Sequence, residues 1–254
     1  MEPGLSILDP ERQASIADSR KLPPEVPVAV TLNGEGFAVF MATPRDLEDF
    51  AVGFAISETI VSGIQEVHGL TLHEHGEEGI SVNLDIDDEP FFTAIKRKRL
   101  LTGTSGCGLC GLDSIRAALR TLTPLSPQPA PKTESISTTF EAMQAEQTLN
   151  GIYGGGLHAS AVCCGDQILA VREDIGRHNA MDKALGAGAR SGEPVDLVIT
   201  TSRCSSDLVQ KAVSARVGTL AVMATPSDLA VKLAQENCLN LFSCNRGYSF
   251  TRYS

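Results

Sequence analysis

The sequence predicts an α/β protein in two parts, and three observations carry that reading. The second half alternates short apolar strands with helices of about ten residues, the pattern of crossover units around a largely parallel sheet. The first half reads as strands flanking a helix, an α+β arrangement. Between them, "TPLSPQPAPKTES" places four prolines within eight residues, the signature of a linker. The expected organisation is a flexible arm over 1–22, an α+β domain over 23–121, a proline-rich linker over 122–136 and an α/β domain over 137–254.

Each element has a local reason. "VPVAVTLNGEGFAVFMATP" alternates apolar residues on both sides of Asn33-Gly34, a pair that tolerates the positive φ of a tight primed turn, so a hairpin is expected. In "TPRDLEDFAVGFAISETI", Thr43 is placed to cap, Pro44 suits the first helical position and Asp46 sits where a capping-box acid belongs. Leu47, Phe50, Ala51 and Phe54 follow at helical spacing, which predicts a helix over 44–61. "GLTLHEH", "GISVNLDI" and "PFFTAI", within 68–95, read as strands. "LDSIRAALRTL", after the cysteine loop, reads as a helix. In the second half the strands are "LHASAVCC", "QILAVRE", "VDLVITT", "GTLAVMA" and "LNLFSC", with "YSFTRY" closing the chain. The helices are "HNAMDKALGAGA", "SSDLVQKAVSA" and "TPSDLAVKLAQEN".

Composition excludes some functions. With 42% hydrophobic and 20% charged residues and no run of eighteen apolar residues, the expectation is a soluble chain without a membrane span. The N-terminal stretch has no apolar core flanked by basic residues, which points to the cytoplasm. A net charge of -10 argues against a general nucleic-acid binder, which needs cations to displace counterions. Seven cysteines, an odd number, read as thiols rather than as a disulfide framework.

Chemistry concentrates in four segments. "TGTSGCGLCG" (102–111) sets Cys107 and Cys110 three positions apart among glycines. A structural zinc would need a second such pair, and none exists. A thioredoxin-like site would need a strand before the motif and a helix starting within it, where this sequence has glycines. A carrier of sulfur as a persulfide needs a nucleophilic thiolate on a loop with freedom to reach donor and acceptor. "KRKR" (Lys96 to Arg99) would stabilise such a thiolate, although the same run also suits a solvated surface. "REDIGRHNAMDKALG" (172–186) gathers Arg172, Asp174, Arg177, His178, Asn179, Asp182 and Lys183 at a strand-to-helix junction. A helix N-terminus with glycine and arginine beside it is an anion site. "TTSRCSSDLVQK" repeats the arrangement with Ser202 and Arg203. "YGGGLHASA" (153–161) sets three glycines just before His158.

Taken together these segments resemble the FdhD family, the formate dehydrogenase accessory sulfurtransferases. The likeness runs from about residue 24 onward. It is carried by "TPRDLEDFAVGFAISETI", "SGCGLCG", "GGGLHASA", "REDIGRHNAMDKALG", "TTSRCSSDLVQKA", "ATPSDLAVKLAQE" and "CNRGYSFTRY". The resemblance implies a cytidine-deaminase-like three-layer αβα domain in the C-terminal part. It implies sulfur accepted as a persulfide from a cysteine desulfurase and passed to the bis-molybdopterin guanine dinucleotide form of the molybdenum cofactor, before insertion into apo formate dehydrogenase. Cys107 would carry the persulfide and Cys110 would assist. Cys244, Asn245, Arg246, Gly247, Tyr248 and Ser249 would bind the cofactor, with Arg246 on its phosphates. His178, Arg177 and Arg203 would hold phosphates or a guanine edge, Asp182 would orient His178, and His158, Asn179 and Ser202 complete the expected set. Guanosine diphosphate would mimic one half of the ligand. A ligand with two dinucleotide halves suits a two-fold homodimer. No resident metal is expected. Zinc deaminases need H-x-E and P-C-x-x-C, and "HAS" at 158–160 and "SRCSSD" at 202–207 lack the acid and a zinc cysteine. Two other readings remain: a chaperone that holds the cofactor without transferring sulfur, and a thiol-disulfide oxidoreductase.

Overall fold

The structure, a computed structural model, describes residues 21–102, 120–244 and 250–254. Most of the expected arm, the helix expected after the cysteine loop, Cys107, Cys110 and residues 245–249 lie outside the described residues. Strand β1 (Val26–Leu32) turns into β2 (Glu35–Ala42) through Asn33 and Gly34. Both have positive φ, 48° and 81°, as the primed turn demands. The Asn33 side chain also pins the turn to a third strand: its amide donates to the Ile86 carbonyl, and its oxygen accepts from Ile86 N–H. Helix α1 (Leu47–Ser57), β3 (Val67–Glu74), β4 (Ile80–Ile86) and α2 (Asp88–Thr102) complete the N-terminal unit. Its sheet runs β2-β1-β4-β3, with β1 and β4 parallel. Val28, Val30 and Leu32 face Phe50, Phe54, Val82 and Leu84 in one core.

After the proline-rich stretch come α3 (Thr133–Ala145), α4 (Thr148–Tyr153), β5 (His158–Cys164), β6 (Gln167–Asp174) and α5 (Arg177–Ser191). They are followed by β7 (Leu197–Arg203), α6 (Ser206–Ser214), β8 (Thr219–Ala224), α7 (Asp228–Glu236), β9 (Asn240–Cys244) and β10 (Phe250–Arg252). These strands form a sheet of order β10-β9-β8-β7-β5-β6. Strand alternation sends Val162, Val198, Leu220 and Leu241 to the face covered by α5, α6 and α7. It sends Ala161, Ile199, Ala221 and Phe242 to the face covered by Ile136, Phe140 and Met143 of α3. The result is three layers, αβα, so the mixed α/β class read from the sequence holds.

Four expectations need correction. The helix expected over 44–61 spans Leu47–Ser57. Asp46 adopts a left-handed conformation (φ 53°) and caps nothing, while the Thr43 hydroxyl accepts from Ile175 N–H in the other half. The related start of α7 does cap, but through Ser227, which accepts from Ala230 N–H. Residues 90–95, expected as a strand, lie in α2. Asp88 and Glu89 favour a helix N-terminus, and Pro90 falls in the first turn, where no N–H is needed. The large sheet is mixed rather than largely parallel. Strands β7, β8 and β9 pair in parallel, but β5 is antiparallel to both neighbours, β6 and β7, and β10 is antiparallel to β9. The crossover units are all present; β5 is inserted between the first two strands they connect. Finally, α3 and α4 were not anticipated.

The two halves join through helices. Gly53 of α1 lies against the Asp182 carbonyl and the Gly186 N–H of α5, and Gly186 lies against the Asp49 carbonyl. A Cβ at Gly53 would fall 1.7 Å from the Asp182 oxygen, and one at Gly186 would fall 1.8 Å from the Asp49 oxygen. No side chain fits, so glycine at both positions sets the helix approach. Asp49 adds ion pairs with Arg172 and Arg190.

Candidate functional site

Because β6, β7, β8 and β9 run in the same direction, their carboxyl ends share one edge with the start of the antiparallel β5. That edge gathers His158, the α5 start at Arg177, the α6 start after Arg203-Cys204-Ser205, the α7 start and Cys244. Ligands of open α/β sheets bind at such carboxyl ends. His158 is half-buried, and burial, with Arg177 and Arg203 close by, pushes its pKa below the ordinary value despite Asp174. The arrangement is an imidazole of lowered pKa near two guanidiniums, Arg177 at the start of α5 and Arg203 at the end of β7 ahead of α6, which suits a phosphate-like anion.

The glycine triplet before His158 has a defined backbone reason. Gly154, Gly155 and Gly156 all have positive φ (70°, 109° and 94°). Among the described residues, nothing lies within 4 Å of a Cβ built at Gly154 or Gly155. The triplet is therefore required by its turn, and open space stands beside it.

Other expected site residues do structural work. Asp174 is fully buried and fully used. It pairs with Lys183 at 2.7 Å and accepts from Thr43 N–H, Gly176 N–H and the Asn179 amide. Asn179 also donates to the Met41 carbonyl, so it ties α5 to the end of β2. Ser202 is buried, accepting from Thr200 and donating to the Arg203 carbonyl. Asp182 does not orient His178. Its carboxylate accepts from Lys211 at 2.9 and 3.0 Å and from Ser57 at 2.7 Å. Cys204 is buried, and burial pushes its thiol up to about 12; the same holds for Cys163, with nearby acids adding to it. Burial also raises Cys244.

His178 looks into a different space, a cavity of about 510 Å³ between α1, α2, α5 and α6. Phe40 and Phe54, edge to face at 4.9 Å, form its apolar wall. Glu58, Arg97, Arg120, Gln210 and Lys211 supply its polar lining. Among the described residues His178 Nε2 is buried without a hydrogen-bond partner, with the Asp207 carboxylate 3.7 Å away. Burial, with Arg177 and Lys211 adding to it, lowers the His178 pKa. Burial alone would raise Glu58, but Lys211 and Arg120 outweigh it and hold the carboxyl below its ordinary range. Sequence reasoning missed Glu58, Arg120 and Lys211 as site residues and singled out Arg97 only within the "KRKR" run. Lys211 is foreshadowed by its spacing four residues after Asp207, yet its partners lie on α1 and α5, which no local pattern reveals.

Comparison with known proteins identifies the family. The FdhD/NarQ family model matches residues 23–254. The chain belongs to the FdhD/NarQ family. Among curated relatives, the sulfur carrier protein FdhD of Variovorax paradoxus is 41% identical over 233 residues, covering 91% of this chain and 83% of the relative. That of Cupriavidus necator is 41% identical over 220 residues, covering 85% and 76%. A solved structure from Desulfotalea psychrophila, assigned as a candidate formate dehydrogenase accessory protein, superposes with a TM-score of 0.69. It covers 92% of this chain and 88% of its own at 21% identity, a likeness of fold. The FdhD/NarQ match spans both halves, so the sheet-edge cluster and the His178 cavity both fall within it. Among the described residues of this FdhD/NarQ chain, no helix is long and apolar enough to cross a membrane.

Proposed function

We propose that this FdhD/NarQ chain carries sulfur from a cysteine desulfurase to a molybdenum cofactor bearing two guanine dinucleotides, on its way to formate dehydrogenase. The observation that carries the reading is the cluster of Arg177 at the start of α5, Arg203 at the end of β7 just before α6, and His158 at the start of β5, on the edge where an α/β sheet takes its ligand. A dinucleotide diphosphate has the charge and hydrogen-bonding capacity that this edge matches. Asn245 to Ser249, which follow Cys244 in the sequence, are proposed to complete the contact through Arg246. Cys163 and Cys204 are poor nucleophiles because their thiols are held protonated. That supports assigning the sulfur chemistry to Cys107, assisted by Cys110.

In the proposed step the Cys107 thiolate attacks the outer sulfur of the desulfurase persulfide. A new S–S bond forms at Cys107 and the old one breaks, and its electron pair leaves with the desulfurase thiolate. No oxidant or reductant is needed. In the second step the S–S bond at Cys107 breaks, its electron pair stays with Cys107 as the thiolate, and the outer sulfur, carried at the sulfane level, takes the two electrons it needs from the cofactor, which is the substrate. Two nucleotide halves suit a symmetric pair of chains, and the setting proposed is the cytoplasm.

Maturation of apo formate dehydrogenase tests the reading against its rivals. Cys107→Ala should bind guanosine diphosphate as tightly as the unaltered chain yet leave the enzyme inactive. If Cys107→Ala still matures the enzyme, the chain is a chaperone that does not transfer sulfur. Reduction of disulfides without any sulfur donor would instead favour the oxidoreductase. Arg203→Ala should weaken guanosine diphosphate binding by about 1.5–3 kcal/mol, the worth of a charged hydrogen bond.

A further inference from the structure

The polar groups that line the His178 cavity fall into two sets. The first set is engaged within the protein. Lys211 pairs with Glu58 at 3.0 Å and with Asp182 at 2.9 Å. Arg97 donates to the Glu58 carbonyl at 2.8 Å, and Arg120 to the Ser57 carbonyl at 2.9 Å. Gln210 Oε1 accepts from the Arg120 N–H at 2.9 Å. The second set is His178 Nε2 and the Asp207 carboxylate. Among the described residues the buried Nε2 has no hydrogen-bond partner, and Asp207 approaches it only to 3.7 Å, too far for a hydrogen bond. A buried nitrogen left unpaired costs free energy, which a ligand atom placed there would recover. The two groups also adjoin the sheet edge. His178 is the second residue of α5, next to Arg177, and Asp207 is the second residue of α6, four positions after Arg203. Arg177 acts on the charge of both His158 and His178, so it stands between the edge and the cavity.

The chemistry of the space suits a planar heterocycle. Phe40 and Phe54 supply aromatic surface for its face. The volume of about 510 Å³ is that of a small-molecule site. At its edge an ionised carboxylate can only accept hydrogen bonds. Guanine offers a carboxylate two adjacent donors, N1–H and the 2-amino group, with the O6 acceptor beside them for an imidazole N–H. Adenine presents a bare acceptor at N1, which a carboxylate repels. We infer that the His178 cavity takes the base of the nucleotide whose diphosphate lies on Arg177, Arg203 and His158, and that Asp207 is the specificity-determining residue that selects guanine there. The inference rests on the proposed binding of a guanine dinucleotide and involves no sulfur chemistry.

Titration calorimetry of the full chain with guanosine, inosine, xanthosine and adenosine diphosphates tests this. The unaltered chain should bind guanosine diphosphate at least about 100-fold more tightly than adenosine diphosphate, because a site built for hydrogen bonds rejects an analogue that leaves its polar groups unpaired. Inosine diphosphate, which lacks the 2-amino group, should fall between. Asp207→Asn is nearly isosteric, and the Asp207 side chain is more than half exposed, so the fold is expected to survive. The variant should bind guanosine diphosphate about 10- to 100-fold more weakly, the worth of hydrogen bonds to a charged group. It should also prefer xanthosine diphosphate to guanosine diphosphate, because the new amide donates to the 2-oxo group that replaces the 2-amino group. A merely structural role for Asp207 would not reverse that preference. Unchanged affinity for guanosine diphosphate in Asp207→Asn, or all four nucleotides weakened in equal proportion, would overturn the inference and leave the guanine-dinucleotide reading standing. Equal affinity of the unaltered chain for the guanosine and adenosine ligands would overturn it too. If the unaltered chain bound no guanosine diphosphate, that reading and the inference would fall together.

Discussion

Asp174 and Asp182 are buried carboxylates on consecutive elements, and each is tied to its own lysine, Lys183 and Lys211. A buried charge without a partner is expensive, so these pairs fix the chain around them more than they add net stability. The two histidines of the region behave differently. Burial and neighbouring cations hold His158 and His178 below the ordinary value of 6.5. As the pH falls below that value, the unfolded chain takes up protons that the folded one refuses. Stability therefore rises with pH across that window and is lost on acidification. Melting temperature should drop between about pH 7 and pH 5.5, and His158→Gln should flatten part of that slope. An identical slope in the variant would remove His158 from the account. Asp182 was expected to serve His178, and the sequence could not show otherwise. Its partners, Ser57 and Lys211, lie 125 and 29 positions away.

At the scale of elements, what could be read locally was read well. Asn33-Gly34 declares its turn because both residues tolerate positive φ, and the reason lies within the two residues themselves. The strands and helices from β5 onward follow their periodicity. Where the pattern is ambiguous, the expectation fails: "PFFTAI" suits either period, and the acids before it with its own leading proline decide for helix. The capping grammar of "TPRD" failed because Thr43 is drawn into contacts with β6 and Ile175 across the domain junction. The insertion of β5 between β6 and β7 was also invisible, since sequence alternation reports the connections and not which strand lies between them. The α1–α5 crossing is the strongest claim at this scale. Gly186→Ala places a Cβ against the Asp49 backbone carbonyl, which cannot move aside as a side chain can. The expected cost is at or beyond the upper end of the ~1–3 kcal/mol typical of overpacking, read as a shifted denaturation midpoint. A change below about 0.5 kcal/mol, the range of inert surface substitutions, would show that the helices separate freely.

For the molecule as a whole, the fold sets two regions in relation. The carboxyl edge of the large sheet gathers Arg177, Arg203 and His158, the proposed contacts of an anionic ligand. The cavity lined by Glu58, Arg97, Arg120 and His178 adjoins both stems of the segment that bears Cys107 and Cys110. Helices α5 and α6 belong to both, so the proposed sulfur carriage and cofactor holding would share one scaffold. The edge was legible because Gly, Arg and His cluster at strand-to-helix junctions in the sequence. The cavity was not, because its charges come from four separate elements. The most direct test of the central claim is peptide mass spectrometry of the chain after incubation with a cysteine desulfurase and cysteine, under conditions that preserve persulfides. The account predicts the mass of one added sulfur atom on the peptide bearing Cys107, absent in Cys107→Ala and transferred when the cofactor is supplied. Added sulfur retained in Cys107→Ala, or none on the unaltered chain, would contradict it.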